Sequence, residues 1–244
     1  MRVRGGAIAL VLAFAAAMLP ASGRAQTAAQ WKCTGNPDIA WDVQIGDCTA
    51  AIESGKYSGA NLAWAFNNRA NAYKAKGDYD RAIADFDQAI KLDPKHALSF
   101  YNRGNAYRAK GDNDRAIADY DQTIRLDPKL APAFTNRGNA YYAKGEYDRA
   151  IADYDQAIKL DPKHVSAFNN RGSIYVTKKD YDRAIADFSQ AISFNPKYAQ
   201  AFFNRGLAWE RKGNPDRALA DYSEANRLNP NDSGAINALK RLKP

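Results

Sequence analysis

Proline recurs at Pro94, Pro128, Pro162, Pro196 and Pro230, each 34 residues after the last. The text around each one repeats too. Asn102 to Leu126 reads NRGNAYRAKGDNDRAIADYDQTIRL, and Asn136 to Leu160 reads NRGNAYYAKGEYDRAIADYDQAIKL. A fixed period of this length requires a row of similar supersecondary units, none of which can bury its apolar face alone. The stacked units, and not any single one, must then form the core.

One unit is enough to read the local structure. Phe100, Gly104 and Tyr107 stand at i, i+4 and i+7, one stripe of a helix. Lys110-Gly111-Asp112 breaks that stripe, and Ala116, Tyr120, Thr123 and Ile124 begin a second. Asp127-Pro128 ends it, because the residue before a proline is pushed out of the α region. The spacing predicts two antiparallel helices joined by a glycine turn.

Neighbouring units carry matched small and large columns. Ala70, Gly104, Gly138, Gly172 and Gly206 form one small column, and Ala82, Ala116, Ala150, Ala184 and Ala218 another. Aromatics recur at Phe66, Phe100, Phe134, Phe168 and Phe202 on the first helix. On the second they recur at Phe86, Tyr120, Tyr154, Phe188 and Tyr222. Small against large in register builds a continuous interdigitated core. Exposing one of these aromatics would forfeit roughly 1.5–3 kcal/mol.

This order of Phe, Gly, Tyr, Ala, aromatic, Ala and Pro resembles the tetratricopeptide repeat (TPR). Five units, Ala63–His96, Ala97–Leu130, Ala131–His164, Val165–Tyr198 and Ala199–Asp232, cover 170 of the 244 residues. The resemblance implies an all-α, right-handed α-solenoid whose first helices line a concave groove. One column departs from the family, which favours leucine there: Arg69, Arg103, Arg137, Arg171 and Arg205. A guanidinium so near the core needs a partner. The equally regular Asp85, Asp119, Asp153, Asp187 and Asp221 are the candidates. Those aspartates also lie four residues after Arg81, Arg115, Arg149, Arg183 and Arg217, so a charge ladder along the second helix is expected as well.

The ends read differently. MRVR, an apolar run from Ala7 to Leu19 and small residues up to Ala25 describe a secretory signal peptide over residues 1–25. The run is short for a membrane span, though an uncleaved anchor is the alternative. No cysteine stands at the cleavage point, against a lipid anchor. The expected location is periplasmic or secreted, with no stable membrane insertion once the leader is removed. In that setting Cys33 and Cys48, the only two cysteines, read as a disulfide. It would staple residues 26–62 onto the array, where Ile45–Ile52 resembles Ile83–Ile90 and suggests half a repeat. Ser233–Leu242, within the terminal stretch 233–244, reads as a polar capping helix.

Composition narrows the partners. Loss of Arg2, Arg4 and Arg24 with the leader, which contains no acid, takes the formal charge from +8 to +5. Lys76, Lys110, Lys144, Lys178 and Lys212 are spread along the turns as a solvated edge, so no nucleic-acid partner is expected. No nucleophile elbow, phosphate loop or metal-ligand cluster appears, and His96 and His164 stand two repeats apart as turn residues. The chain is therefore expected to be no enzyme and to need no cofactor.

On the implied fold, the groove is lined by first-helix residues pointing away from the second helix. Asn68, Asn102, Asn136, Asn170 and Asn204 form one such column, and Asn71, Asn105 and Asn139 lie three residues on. An asparagine amide offers donors and an acceptor to an extended backbone, and some peptide-binding members of the family use asparagines in this way. The same repetition would follow if the asparagines brace neighbouring helices. Columns that vary between units are better markers of specificity: Asn67, Tyr101, Thr135, Asn169 and Phe203, and one turn later Arg108 and Tyr142 with Lys74, Val176 and Glu210. The chain lacks the basic pattern of the carboxylate-clamping chaperone adaptors, which argues against a free C-terminus as ligand. Docking of a protein or peptide partner in the groove is the leading expectation. Self-association as a structural subunit of an envelope assembly is the other.

Overall fold

A computed structural model of the chain describes Cys33, Thr34 and residues 38–242, so the expected leader lies outside the described residues. Those residues form twelve helices and no strand. A single helix, α1 (Trp41–Glu53), precedes five hairpins. These are α2 (Ala60–Ala75) with α3 (Tyr79–Leu92), α4 (Ala97–Ala109) with α5 (Asn113–Leu126), and α6 (Ala131–Ala143) with α7 (Tyr147–Leu160). Then come α8 (Val165–Thr177) with α9 (Tyr181–Phe194), and α10 (Ala199–Arg211) with α11 (Pro215–Leu228). Helix α12 (Ser233–Leu242) closes the row. The first helix of the first hairpin thus begins at Ala60, one turn ahead of the expected repeat boundary.

Each boundary has a local cause. Asp78, Asp112, Asp180 and Asn214 accept a hydrogen bond from the backbone N–H three residues on, capping α3, α5, α9 and α11. The residue before each proline between hairpins, Asp93, Asp127, Asp161 and Asn195, accepts from the N–H two residues later and holds the turn. Inside the hairpins Gly77, Gly111, Gly145 and Gly213 adopt φ between 75° and 83°, the left-handed region a side chain disfavours. The fourth hairpin places Lys179 there at φ 62°.

Hairpins close on a buried aromatic. Phe86, Tyr120, Tyr154, Phe188 and Tyr222 are fully buried. The glycine column leaves room for them: a Cβ at Gly138 would sit 2.8 Å from Tyr154 Cε1, and one at Gly172 2.8 Å from Phe188 Cε1. Successive first helices, α2, α4, α6, α8 and α10, touch one another, and successive second helices do not do so to the same degree. The first helices therefore lie on the inner curve of an α-solenoid.

Charge pairing runs through the same core. Arg137 on α6 donates from Nε and Nη2 to both oxygens of Asp153 on α7, at 2.9 and 2.6 Å. Its remaining Nη1 reaches back 2.6 Å to Asp121 on α5, in the preceding hairpin. The pattern repeats from Arg103 to Asp119 and Asp87, and from Arg171 to Asp187 and Asp155. At the ends the backward contact goes to a hydroxyl, Arg69 to Thr49 and Arg205 to Ser189. Its hydrogen bonds to the Asp153 carboxylate hold the Arg137 guanidinium more firmly protonated than usual. Burial pushes the Asp153 carboxyl up, and Arg137 pulls it back only in part.

One charge expectation needs correction. Arg81, Arg115 and Arg183 do not join the aspartates four residues on. Each pairs instead with the capping aspartate three residues back, and its guanidinium lies over Tyr73, Tyr107 or Tyr175 at 4.4–4.5 Å. Stacking on an aromatic face satisfies the cation without taking an acceptor from the buried pair. The lysines of the turn edge are exposed, as expected, and are also paired. Lys76, Lys110, Lys144, Lys178 and Lys212 each pair with an aspartate of the preceding unit: Asp42, Asp80, Asp114, Asp148 and Asp182.

Both ends carry covers. Cys33 and Cys48 form the expected disulfide, with Cα atoms 4.9 Å apart, and α1 packs on α2. Ala235 and Ala238 of α12 are buried against the last hairpin, where Phe203, Trp209 and Tyr222 pack.

Asp153→Ala would strand a half-buried guanidinium and lower unfolding free energy by about 3 kcal/mol in a denaturant titration, whereas Arg137→Met with Asp153→Leu would cost far less. Lys179→Gly relieves the left-handed backbone and would raise stability by about 1 kcal/mol in the same titration.

Candidate functional site

The inner curve follows from first-helix periodicity. Residues three, four and seven apart share a face, so the columns beginning at Asn67, Asn68, Asn71 and Lys74 run side by side across α2, α4, α6, α8 and α10. The structure separates those columns by burial.

The Asn67 column is a correction to the expected groove. Asn67, Thr135 and Asn169 are 9%, 5% and 5% exposed and lie between neighbouring hairpins. Asn67 Oδ1 accepts from Ser99 Oγ at 3.3 Å, and Thr135 Oγ1 donates to the Ala131 carbonyl at 3.3 Å. Asn169 donates to Asn170 and accepts from Asn204 Nδ2 at 3.0 Å. Tyr101 is half-buried and tilted against Tyr120, their ring centroids 6.1 Å apart, and Phe203 lies 5.5 Å from Tyr222. A first-helix position one residue ahead of the asparagine column rotates toward the next unit, which is why these side chains are enclosed.

The asparagine columns work between units. Asn136 Nδ2 donates to Asn105 Oδ1 at 2.8 Å and to Tyr101 Oη at 2.9 Å. Asn170 Nδ2 donates to Asn139 Oδ1 at 2.8 Å. Asn105 and Asn139 each accept a second bond, from the buried hydroxyls of Tyr120 and Tyr154, both at 2.8 Å. Asn102 Oδ1 accepts from Lys74 Nζ at 3.2 Å, and Asn68 Nδ2 donates to the Cys33 carbonyl at 2.8 Å. Asn71 is half-buried at the first hairpin. The amide donors that a peptide ladder would need are thus largely engaged within the stack.

Residues one turn further on stay open. Tyr142 is 43% exposed, with its ring 5.7 Å from Tyr147. It borders a cavity of about 380 Å³ on the inner curve, lined also by Arg108, Asn139, Tyr154, Asn170 and Ser173. These six residues come from three consecutive hairpins. Tyr154 forms the floor, and burial pushes its hydroxyl pKa up, which keeps it a neutral donor to Asn139. Of the expected site residues, the structure brings Arg108, Asn139, Tyr142 and Asn170 into this one cavity. Ser173 was missed because it replaces asparagine in its column and offers no repeat signal of its own. Among the described residues no cluster of histidine, cysteine, aspartate or glutamate could hold a metal ion. No helix among them is long and apolar enough to cross a membrane.

If the asparagines brace the stack, Asn136→Ala would lower stability by about 1 kcal/mol, read as a shift in the denaturant midpoint.

Comparison with known proteins agrees with this architecture. Residues 138–179 and 172–213 match the TPR repeat profile, and residues 67–131, 119–152 and 199–232 match further tetratricopeptide repeat profiles. No protein of curated function matches the chain. Among solved structures, the chain is similar to MamA, at 28% identity over 66% of this chain and 94% of that one, with a TM-score of 0.61. It is also similar to YrrB, described as a TPR protein with an unusual peptide-binding site, at 26% identity over 79% and 97%, with a TM-score of 0.61. PilW, a type IV pilus biogenesis factor, shares the fold at 20% identity over 74% and 92%, with a TM-score of 0.62. With five stacked hairpins, the matching profiles and these neighbours, the chain belongs to the tetratricopeptide repeat family and folds as a right-handed α-solenoid.

Proposed function

We propose that this chain is a non-catalytic interaction scaffold which holds a peptide segment of a protein partner in its concave groove. The observation that carries the reading is the cavity between Arg108, Tyr142 and Ser173, open on the inner curve and shared by three units. An exposed tyrosine beside amide, hydroxyl and guanidinium groups suits a peptide, which presents both apolar and polar surface. The peptide-binding site named for YrrB, a protein of the same fold, supports the same reading. The shifted aspartates support a non-catalytic role, since each is locked against an arginine and not free in a cleft.

The partner is met outside the cytoplasm, after a leader over residues 1–25 is removed. A buried disulfide at Cys33–Cys48 fits an oxidising compartment. Pairing of the turn lysines with aspartates leaves little free positive charge on that edge and speaks against a nucleic-acid partner. Covers at both ends, α1 and α12, weigh against end-to-end self-association and toward a closed array that binds through its groove.

Filling the cavity tests this reading. Ser173→Trp combined with Tyr142→Ala should abolish capture of a partner from the producing organism's extracytoplasmic fraction, with the melting temperature moving by no more than about 3 °C. Undiminished capture by a folded variant would remove the groove from the function.

A further inference from the structure

The arginines built into the stack all have carboxylate partners, and two groove cations have none among the described residues. Every guanidinium of the Arg69 column is held by a bidentate aspartate. Lys74 and Arg108 occupy equivalent positions on the adjacent helices α2 and α4, and neither has a carboxylate within salt-bridge distance among the described residues. Lys74 is half-buried, with only the Asn102 carbonyl oxygen to bond, and burial pushes its pKa down. Arg108 lines the cavity and is exposed. The leading 32 residues contain no Asp or Glu, so that part of the chain supplies no counter-charge. At the far end of the same column Glu210 is already neutralised by Arg241 and bonded to the Tyr222 hydroxyl. The open groove therefore presents positive charge at its first two units, and among the described residues no free carboxylate compensates it.

We infer that the peptide bound in this groove is acidic, with carboxylate side chains that reach Lys74 and Arg108. This rests on the proposed docking role and specifies its ligand. A half-buried ammonium without an anion is costly, and an incoming carboxylate offsets that cost in a way a neutral peptide does not. The guanidinium of Arg108 has the fork geometry to take a carboxylate by two parallel bonds. Packed helices stand about 8–10 Å apart, and an extended chain advances about 3.3 Å per residue. The two acids therefore stand about three residues apart in the ligand. Side-chain acids, and not a terminal carboxylate, are the recognised groups, because the cations sit one repeat apart instead of converging on one point. Two isolated cations among amides and tyrosines are too few for a phosphate backbone, which draws on many contacts.

A random twelve-residue peptide library displayed on phage, with no free C-terminus, tests this on the purified protein. Clones eluted from the native chain should be enriched at least threefold in Asp and Glu, and their synthetic peptides should lose at least tenfold in affinity with Arg108→Gln. A Lys74→Glu, Arg108→Glu chain should reverse the selection toward Lys and Arg. Clones that need Tyr142 and Ser173 but show no acidic enrichment would overturn the acidic ligand and leave the groove reading standing. Clones indifferent to Ser173→Trp, or no selection at all, would overturn both. Arg108-dependent binding of a poly-dT oligonucleotide more tightly than any acidic peptide would assign the cations to a nucleic acid and end the proposal. Circular dichroism melts of each variant confirm that the fold is retained.

Discussion

A single guanidinium on each first helix ties three helices together. Two of its bonds close its own hairpin through a buried aspartate, and the third crosses to the second helix of the hairpin before it. Apolar burial alone would let the units slide against one another, since alanine and glycine surfaces are smooth and nearly identical in every repeat. A bidentate, charge-assisted bond has one geometry, so it sets the register between units while the aromatics supply the burial. The groove inherits its shape from that register, because the columns across α2, α4, α6, α8 and α10 align only when each unit is set against the next in the same way.

Much of this is visible in the residues. A 34-residue period, a glycine turn and an Asp-Pro stop dictate hairpins, and matched small and aromatic columns dictate how they stack. The arginine–aspartate pairs follow from the cost of an unpaired charge near a core. The third partners, Asp87, Asp121 and Asp155, were not legible, because they look like ordinary exposed second-helix acids until the neighbouring hairpin is in place. Arg81 misled for the opposite reason: four-residue spacing suggested a pair, and an aromatic face with a capping carboxylate offered it a better one.

The site was legible only in part. Periodicity places Asn67 and Arg108 on the same helix face to within a turn, yet one proves enclosed and the other open. That difference depends on how far each helix rotates toward the next unit, which no single unit encodes. Asparagine repetition had two physical explanations, and hydrogen bonding between Asn136 and Asn105, and between Asn170 and Asn139, favours mutual bracing. The proposed recognition then rests on the positions where the repeat text lapses, at Arg108, Tyr142 and Ser173.

The backward contacts are not uniform along the row. Joints between the first four hairpins carry an arginine–carboxylate contact, whereas Arg69 and Arg205 reach back to the hydroxyls of Thr49 and Ser189, which leaves the exposed pairs Lys76–Asp42 and Lys212–Asp182 as the ionic links there. Separation of the terminal units therefore breaks a neutral arginine contact and an exposed lysine pair of small worth, and fraying proceeds inward until it meets the arginine–carboxylate joints. The interior block that survives longest contains all three hairpins bordering the cavity, so the cavity outlasts the ends that protect it.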